Sequence, residues 1–168
     1  MKRWLSFLLC LTLCMAPFFA RAEEDPLAAY DFTADQSDGE TFTLSEHLGE
    51  VIVLDIWATW CPPCLKKLPV IDRLYAAYEG DPRVCVRAVN AGERPAQAKA
   101  LMEENGYTVP AVYDKLNAAS RRFGVTALPT TIVIAPDGAI ADITVGAETD
   151  ADAAFQKYAD MIDSMLEK

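Results

Sequence analysis

The chain has 168 residues, 52% of them hydrophobic, and carries 25 Asp and Glu against 15 Lys and Arg, a formal net charge of −10. That acidity disfavours nucleic acid and anionic lipid as partners, because both are polyanions. It leaves a soluble domain with enough apolar residues to bury a core.

In chain order, Lys2 and Arg3 precede the apolar run WLSFLLCLTLCMAPFFA, which ends in Ala20-Arg21-Ala22 and then Glu23 and Glu24. Charged start, apolar middle and small-residue exit describe a secretory signal over 1–22, cleaved after Ala22. The alternative is an uncleaved membrane anchor, but Trp4 to Ala20 is 17 residues, short for a bilayer, and Pro17 interrupts it. A lipid anchor on Cys14 is opposed by the bulk of Leu13 before it. Either way the rest of the chain is expected outside the cytoplasm, periplasmic or secreted, as a single domain over 23–168. Loss of Lys2, Arg3 and Arg21 leaves 12 basic against 25 acidic residues, a net charge of −13 that serves solubility. Cys10 and Cys14 leave as well, so Cys61, Cys64 and Cys85 remain, too few for a disulfide-stapled scaffold.

YDFT and TFTL around Ser37-Asp38-Gly39 predict a hairpin over 30–44, and Ser45 to Gly49 adds a helical turn. VIVLDIWA (51–58) reads as a strand covered on both faces. From Pro62 to Tyr78, Leu65, Leu68, Ile71, Leu74, Tyr75 and Tyr78 recur at helical spacing, and Pro69 predicts a kink. VCVRAV (84–89) is a second buried strand, PAQAKALMEENG a helix stopped by Gly106, AVYD (111–114) a short strand, and LNAASRRFG a short helix. Arg121 and Arg122 are placed to meet that helix's last carbonyls. TTIVIAPDGAIADITVG predicts a hairpin of two apolar strands about Pro136-Asp137-Gly138. The C-terminal helix carries Ala154, Tyr158, Ile162 and Leu166 in one stripe. The order implies an α/β fold with a mixed sheet and helices on both faces.

The chemistry concentrates in DIWATWCPPCLKKLP. Cys61 falls where a buried strand meets a helix N-terminus, whose unpaired amides and dipole stabilise a thiolate, the form that attacks disulfides. Cys64, three residues on, lies within disulfide reach. Pro62 and Pro63 are tolerated in the first turn, stiffen the loop, and leave Cys64 as the first residue with an N–H to offer the sulfur. Haem attachment would need His after the second Cys, where Leu65 stands. Zinc would need four ligands, and Cys85 in a strand and His47 in a loop complete the set only formally. A purely structural disulfide closing so small a loop stabilises little.

WATWCPPC followed by FGVTALPTTIVI resembles the thioredoxin fold, and specifically the extracytoplasmic TlpA/ResA group of thiol-disulfide oxidoreductases. The likeness covers Asp31 to the C-terminus. AVNAGE, the helix after it and VPAVYD occupy the place of that group's insertion, and the N-terminal hairpin is an extension. The resemblance makes Pro129 a cis proline facing the cysteines, with Leu128 shaping access for a peptide that pairs with the exposed backbone edge. Asp55 matches a thioredoxin Asp that serves the buried cysteine. Burial should raise its pKa and suit it to shuttle a proton, unless it turns to solvent or binds Lys66 or Lys67. Lys67 stands where Glu is frequent in the group; a cation near the sulfurs favours thiolate, and a solvated lysine would do nothing. Trp57 is expected in the core, Trp60 on the active surface as an apolar contact, and Cys85 as a small core residue. A peroxidase is disfavoured because no P-x-x-x-T-x-x-C surrounds Cys61.

The expectation is therefore an extracytoplasmic disulfide reductase with Cys61 attacking, Cys64 resolving and Asp55 moving the proton, and with Trp60, Pro62, Pro63, Leu128 and Pro129 contacting substrate. No dissociable cofactor is implied. The implied partners are protein thiols and disulfides, apocytochrome c among them, and a membrane thiol electron donor. The redox direction is not written in the residues, so an oxidant that installs disulfides stays open, as does a thiol protein that holds Cu(I).

Overall fold

The structure, a computed structural model, describes residues 26–167; the segment expected to be a secretory signal lies outside the described residues. The strands are β1 (Thr33–Gln36), β2 (Thr41–Thr43), β3 (Val51–Trp57), β4 (Val84–Ala91), β5 (Ala111–Asp114), β6 (Thr130–Ile134) and β7 (Ile140–Val145). They join one seven-stranded mixed sheet in the order β2-β1-β5-β4-β3-β6-β7. The helices are α1 (Pro62–Tyr78), α2 (Pro95–Asn105), α3 (Ala118–Arg122) and α4 (Ala151–Leu166), with a 3-10 turn at Leu44–His47. No helix among the described residues is long and apolar enough to cross a membrane.

β3 is central. It pairs parallel with β4 and antiparallel with β6, and every one of its residues is buried, as its unbroken apolar run requires. Alternation splits its side chains between two cores. Val51, Val53 and Trp57 pack with α1, α2 and α4 through Leu68, Met102 and Tyr158. Ile52, Leu54 and Ile56 pack on the other face with Phe32, Phe42, Leu44 and Phe123. α4 is capped by Asp150, whose Oδ1 accepts the amides of Asp152 at 2.9 Å and Ala153 at 3.1 Å, with Asp152 adding negative charge to the first turn.

Three expectations shift. The first strand begins at Thr33 and not at Tyr30, because the Tyr30 amide folds back on the Leu27 carbonyl at 2.8 Å and holds that segment in a turn. β7 is apolar in sequence but lies at the sheet edge, so Ile143 and Val145 are exposed. On α1 the buried stripe is rotated: Leu65 is 37% exposed, while Cys64 and Lys67 join Leu68, Ile71 and Leu74 inside.

Candidate redox site

Cys61 is the N-cap of α1, reached from β3 through Ala58, Thr59 and Trp60. Pro62 and Pro63 occupy the first turn and have no amide hydrogen, so the first donor is the Cys64 N–H, 3.3 Å from Cys61 Sγ. Cys61 and Cys64 form a disulfide, with Cα atoms 5.3 Å apart. Cys64 is wholly buried, whereas Cys61 lines a cleft of about 810 Å³ together with Trp60, Pro62, Pro63 and Leu128. The Leu128–Pro129 peptide bond is cis. Cys61 and four of the expected contact residues thus meet at one surface. Trp60 is 69% exposed there, free to cover an incoming chain.

Other elements build the cleft and hold the loop. Glu93, after β4, accepts from the Thr59 amide at 2.8 Å and the Thr59 hydroxyl at 2.6 Å, and from Asn90 Nδ2 at 2.7 Å. The loop that delivers Cys61 is therefore clamped from the neighbouring strand. Asp114 accepts the amides of Ala118 at 2.7 Å and Ala119 at 2.9 Å, fixing α3 on the cleft's far side. Gly92 is required there: a Cβ would lie 2.7 Å from Asn117 Nδ2, and its φ is +69°. Arg121 and Arg122 do not meet the C-terminal carbonyls of α3. In a helix of five residues Arg121 reaches back to the Leu116 carbonyl, and Arg122 donates to the Ala29 carbonyl at 3.5 Å.

Asp55 is fully buried on the α1/α4 side of β3, the side of Val53 and Trp57. Its Oδ1 accepts the Thr131 hydroxyl at 2.8 Å, and Oδ2 has no hydrogen-bond partner among the described residues. Burial pushes its pKa up to about 6; the Lys67 charge and the Thr131 hydrogen bond pull the other way. Lys67 is the residue that sequence reasoning left between two roles, and it is 1% exposed. Burial weakens its proton affinity, but Asp55, Tyr158 and Glu148 together raise its pKa above the ordinary lysine value. Glu93 and Glu148 carry no expectation from the sequence, and Tyr158 is expected only in the apolar stripe of the C-terminal helix, where it is indeed buried. A signal for Lys67 did exist: it lies three after Cys64 and four before Ile71, on the helix face that sequence spacing buries.

Cys85 pairs with Ile52 at the opposite end of β3 from Cys61, and burial pushes its thiol pKa up to about 12. Its Sγ, a His47 ring nitrogen and a Glu50 carboxylate oxygen lie within 4.8 Å of one another. His47 and Cys85 are thus brought together, but without Cys61 and Cys64. Three donors fall short of the closed tetrahedral set of a structural zinc site.

The profile of the AhpC/TSA family matches residues 27–143. The thiol-disulfide oxidoreductase ResA of Geobacillus thermodenitrificans is 33% identical over 124 residues, 74% of this chain and 71% of that protein. Among solved structures, a putative thiol:disulfide interchange protein DsbE from Chlorobium tepidum superposes with a TM-score of 0.70 at 27% identity, covering 80% of this chain and 94% of that one. StoA from Bacillus subtilis does so with a TM-score of 0.64 at 26% identity, covering 75% and 94%. With its closed C-x-x-C pair on a seven-stranded mixed sheet, the chain belongs to the AhpC/TSA family as a thioredoxin-fold thiol-disulfide oxidoreductase.

Proposed function

We propose that residues 23–168 form an extracytoplasmic reductase of protein disulfides, released from or tethered by the segment 1–22. The observation that carries the reading is a closed Cys61–Cys64 pair with Cys61 on a cleft and Cys64 wholly buried, together with a buried carboxylate, Asp55, whose Oδ2 has no hydrogen-bond partner among the described residues and which alternation along β3 places on the sheet face that packs Cys64. In the reduced protein the Cys61 thiolate attacks one sulfur of the substrate disulfide; the Cys61–substrate bond forms, the substrate S–S bond breaks, and the first substrate sulfur leaves as a thiolate that takes a proton from solvent. Cys64 then gives its proton to Asp55 and attacks Cys61 Sγ. The mixed disulfide breaks, the second substrate sulfur leaves as a thiolate and takes up the proton that Asp55 returns, and the Cys61–Cys64 disulfide closes. Near neutral pH a carboxyl with a pKa of about 6 is mostly ionised, ready to take the Cys64 proton and able to return it. A dithiol partner supplies two electrons for the next cycle, and a membrane thiol carrier fits that place. Apocytochrome c is one client class with accessible cysteine pairs. Trp60 and Leu128 give the substrate apolar contact, and the backbone before Pro129 gives it an edge to pair with.

Direction is tested by the potential of the Cys61–Cys64 couple, equilibrated against dithiol buffers. A value near or below the roughly −270 mV of thioredoxin supports reduction; one approaching about −120 mV, as in DsbA, overturns it in favour of an oxidant. Roles are tested by Cys64→Ser, which should accumulate a stable mixed disulfide on Cys61 with a peptide disulfide. Accumulation on residue 64 in Cys61→Ser at an equal rate would reverse the assignment. Mature protein recovered outside the cytoplasm and beginning at Glu23 would support cleavage of the signal; an intact Met1 there would support the anchor.

A further inference from the structure

Away from the redox pair, the sheet face that packs Phe42 and Leu44 brings a thiol, an imidazole and a carboxylate together. Cys85 sits on β4 opposite Ile52, near the start of β3, whereas Cys61 lies beyond the far end of that strand. The Cys85 thiol is 1% exposed and makes no hydrogen bond among the described residues. A free cysteine can serve as a small apolar residue, and apolar neighbours alone suffice for that. Here, however, Sγ lies within 4.8 Å of both a His47 ring nitrogen and a Glu50 carboxylate oxygen.

The other two donors are held by the chain between β2 and β3. His47 closes the 3-10 turn, and its ring stacks on Phe42 with centroids 4.9 Å apart and planes 18° apart. The Glu50 amide donates to the His47 carbonyl at 3.1 Å, and the Gly49 amide donates to the Pro136 carbonyl at 3.0 Å, pinning the bend to the turn between β6 and β7. Gly49 has a φ of +101°, a conformation that other residues resist. The bend sets His47 Nδ1 at 3.1 and 3.2 Å from the two Glu50 oxygens. Arg87, two residues after Cys85 on the same strand face, is engaged elsewhere: it donates to Gln36 Oε1 at 2.9 Å and to the Val86 carbonyl at 3.0 Å.

We propose that Cys85, His47 and Glu50 form a site for a divalent cation of the zinc class, bound through sulfur, nitrogen and oxygen with a fourth position left to water. Donor chemistry chooses the class: thiolate and imidazole together disfavour magnesium and calcium, and a carboxylate weighs against Cu(I). With bonds of about 2.0–2.3 Å, the donors of a tetrahedral zinc ion stand about 3.3–3.8 Å from one another. The His47–Glu50 spacing is already that short, and Sγ has to close by no more than about 1.5 Å, within reach of side-chain rotation. His47 and Glu50 are 21% and 27% exposed, which opens the outer side of the site to an entering ion and to the water of the fourth position. As the metal–sulfur bond forms, the Cys85 thiol gives its proton to solvent, and the His47–Glu50 hydrogen bond is exchanged for two bonds to the metal. An ion so bound fastens the 3-10 turn to the central sheet. It requires neither the proposed reaction nor its direction.

The test is titration of the oxidised protein, whose Cys61–Cys64 pair is closed, with Co²⁺ as a spectroscopic stand-in for Zn²⁺. A thiolate-to-cobalt charge-transfer band should appear, saturate at one ion per chain, and vanish when Zn²⁺ displaces the probe. Cys85→Ser should abolish the band, and His47→Gln and Glu50→Gln should each weaken Co²⁺ binding by about tenfold or more. Zn²⁺ at about 100 times its Kd should raise the Tm of the oxidised wild type by about 5–10 °C and should not raise that of Cys85→Ser. Absence of the band, its persistence in Cys85→Ser, or unchanged affinity in both His47→Gln and Glu50→Gln would overturn the proposal. Should Cys85→Ser not fold, the two loop variants decide alone: weakened binding supports the site, and unchanged binding refutes it.

Discussion

Replacing Asp55 by Asn should stabilise the protein, by an amount that depends on pH in a defined way. The folded state holds the carboxyl at a pKa of about 6, against an ordinary value of 3.8, because burial penalises the charge more than Lys67 and Thr131 support it. Folding therefore costs more once the group is ionised. There is almost no penalty below about pH 4, where both states are protonated, and the full penalty above about pH 6. A shift of about two units corresponds to roughly 3 kcal/mol at pH 7.5, about half of that at pH 5, and less than about 1 kcal/mol at pH 4. Asn carries no charge, and whatever its amide costs in packing does not vary with pH. The assay is urea denaturation of the oxidised wild-type and Asp55→Asn proteins across that range. The advantage of the variant should grow by about 2–3 kcal/mol from pH 4 to pH 7.5. A difference that stays flat, or one that turns toward the wild type as pH rises, would refute the claim that this carboxylate is held against its charge.

Three further outcomes follow from the same geometry. Trp60→Ala removes a side chain that is 69% exposed, so stability should change by no more than about 0.5 kcal/mol, while KM for a peptide disulfide rises several-fold and kcat holds; an unchanged KM would remove Trp60 from the substrate surface. Glu93→Ala frees both Thr59 hydrogen bonds and should cost about 2–3 kcal/mol by denaturation, with slower attack by Cys61; a neutral result would mean the clamp is idle. Cys85, buried with a thiol pKa of about 12, should resist a maleimide in the native oxidised protein and react fully in denaturant; native labelling would refute its inert placement.

Much of the site was legible in the sequence because local chemistry dictates it. The apolar run of β3 has nowhere to go but the centre of a sheet, and a C-P-P-C after it can only be the mouth of the next helix. The rest depends on partners far along the chain. The spacing of Lys67 marks a buried helix face, but what its ammonium meets there, Tyr158, 91 residues later, and Gly146, 79 residues later, is not written beside it. Glu93 reads as a loop acid until the register of β3 with β4 sets Trp57 opposite Asn90 and brings Thr59 to it. The placement of β1 failed for a local reason: Tyr30 and Phe32 look like strand residues but serve the core from a turn and from the segment that joins it to β1. Apolar character told where those side chains end up, not which backbone carries them.

The two prolines of the C-P-P-C segment also fix how strongly the protein can pull on a client. A helix opening with ordinary residues would surround the Cys61 anion with several amides; this one presents a single amide, that of Cys64. A hydrogen bond to a charged group contributes about 1.5–3 kcal/mol, equivalent to roughly 30–60 mV for a two-electron couple. Withholding such bonds stabilises the open dithiol less than such a helix would, which lowers the potential of the couple by comparison. The dipeptide is thus a built-in bias on the couple, adjustable one backbone hydrogen at a time.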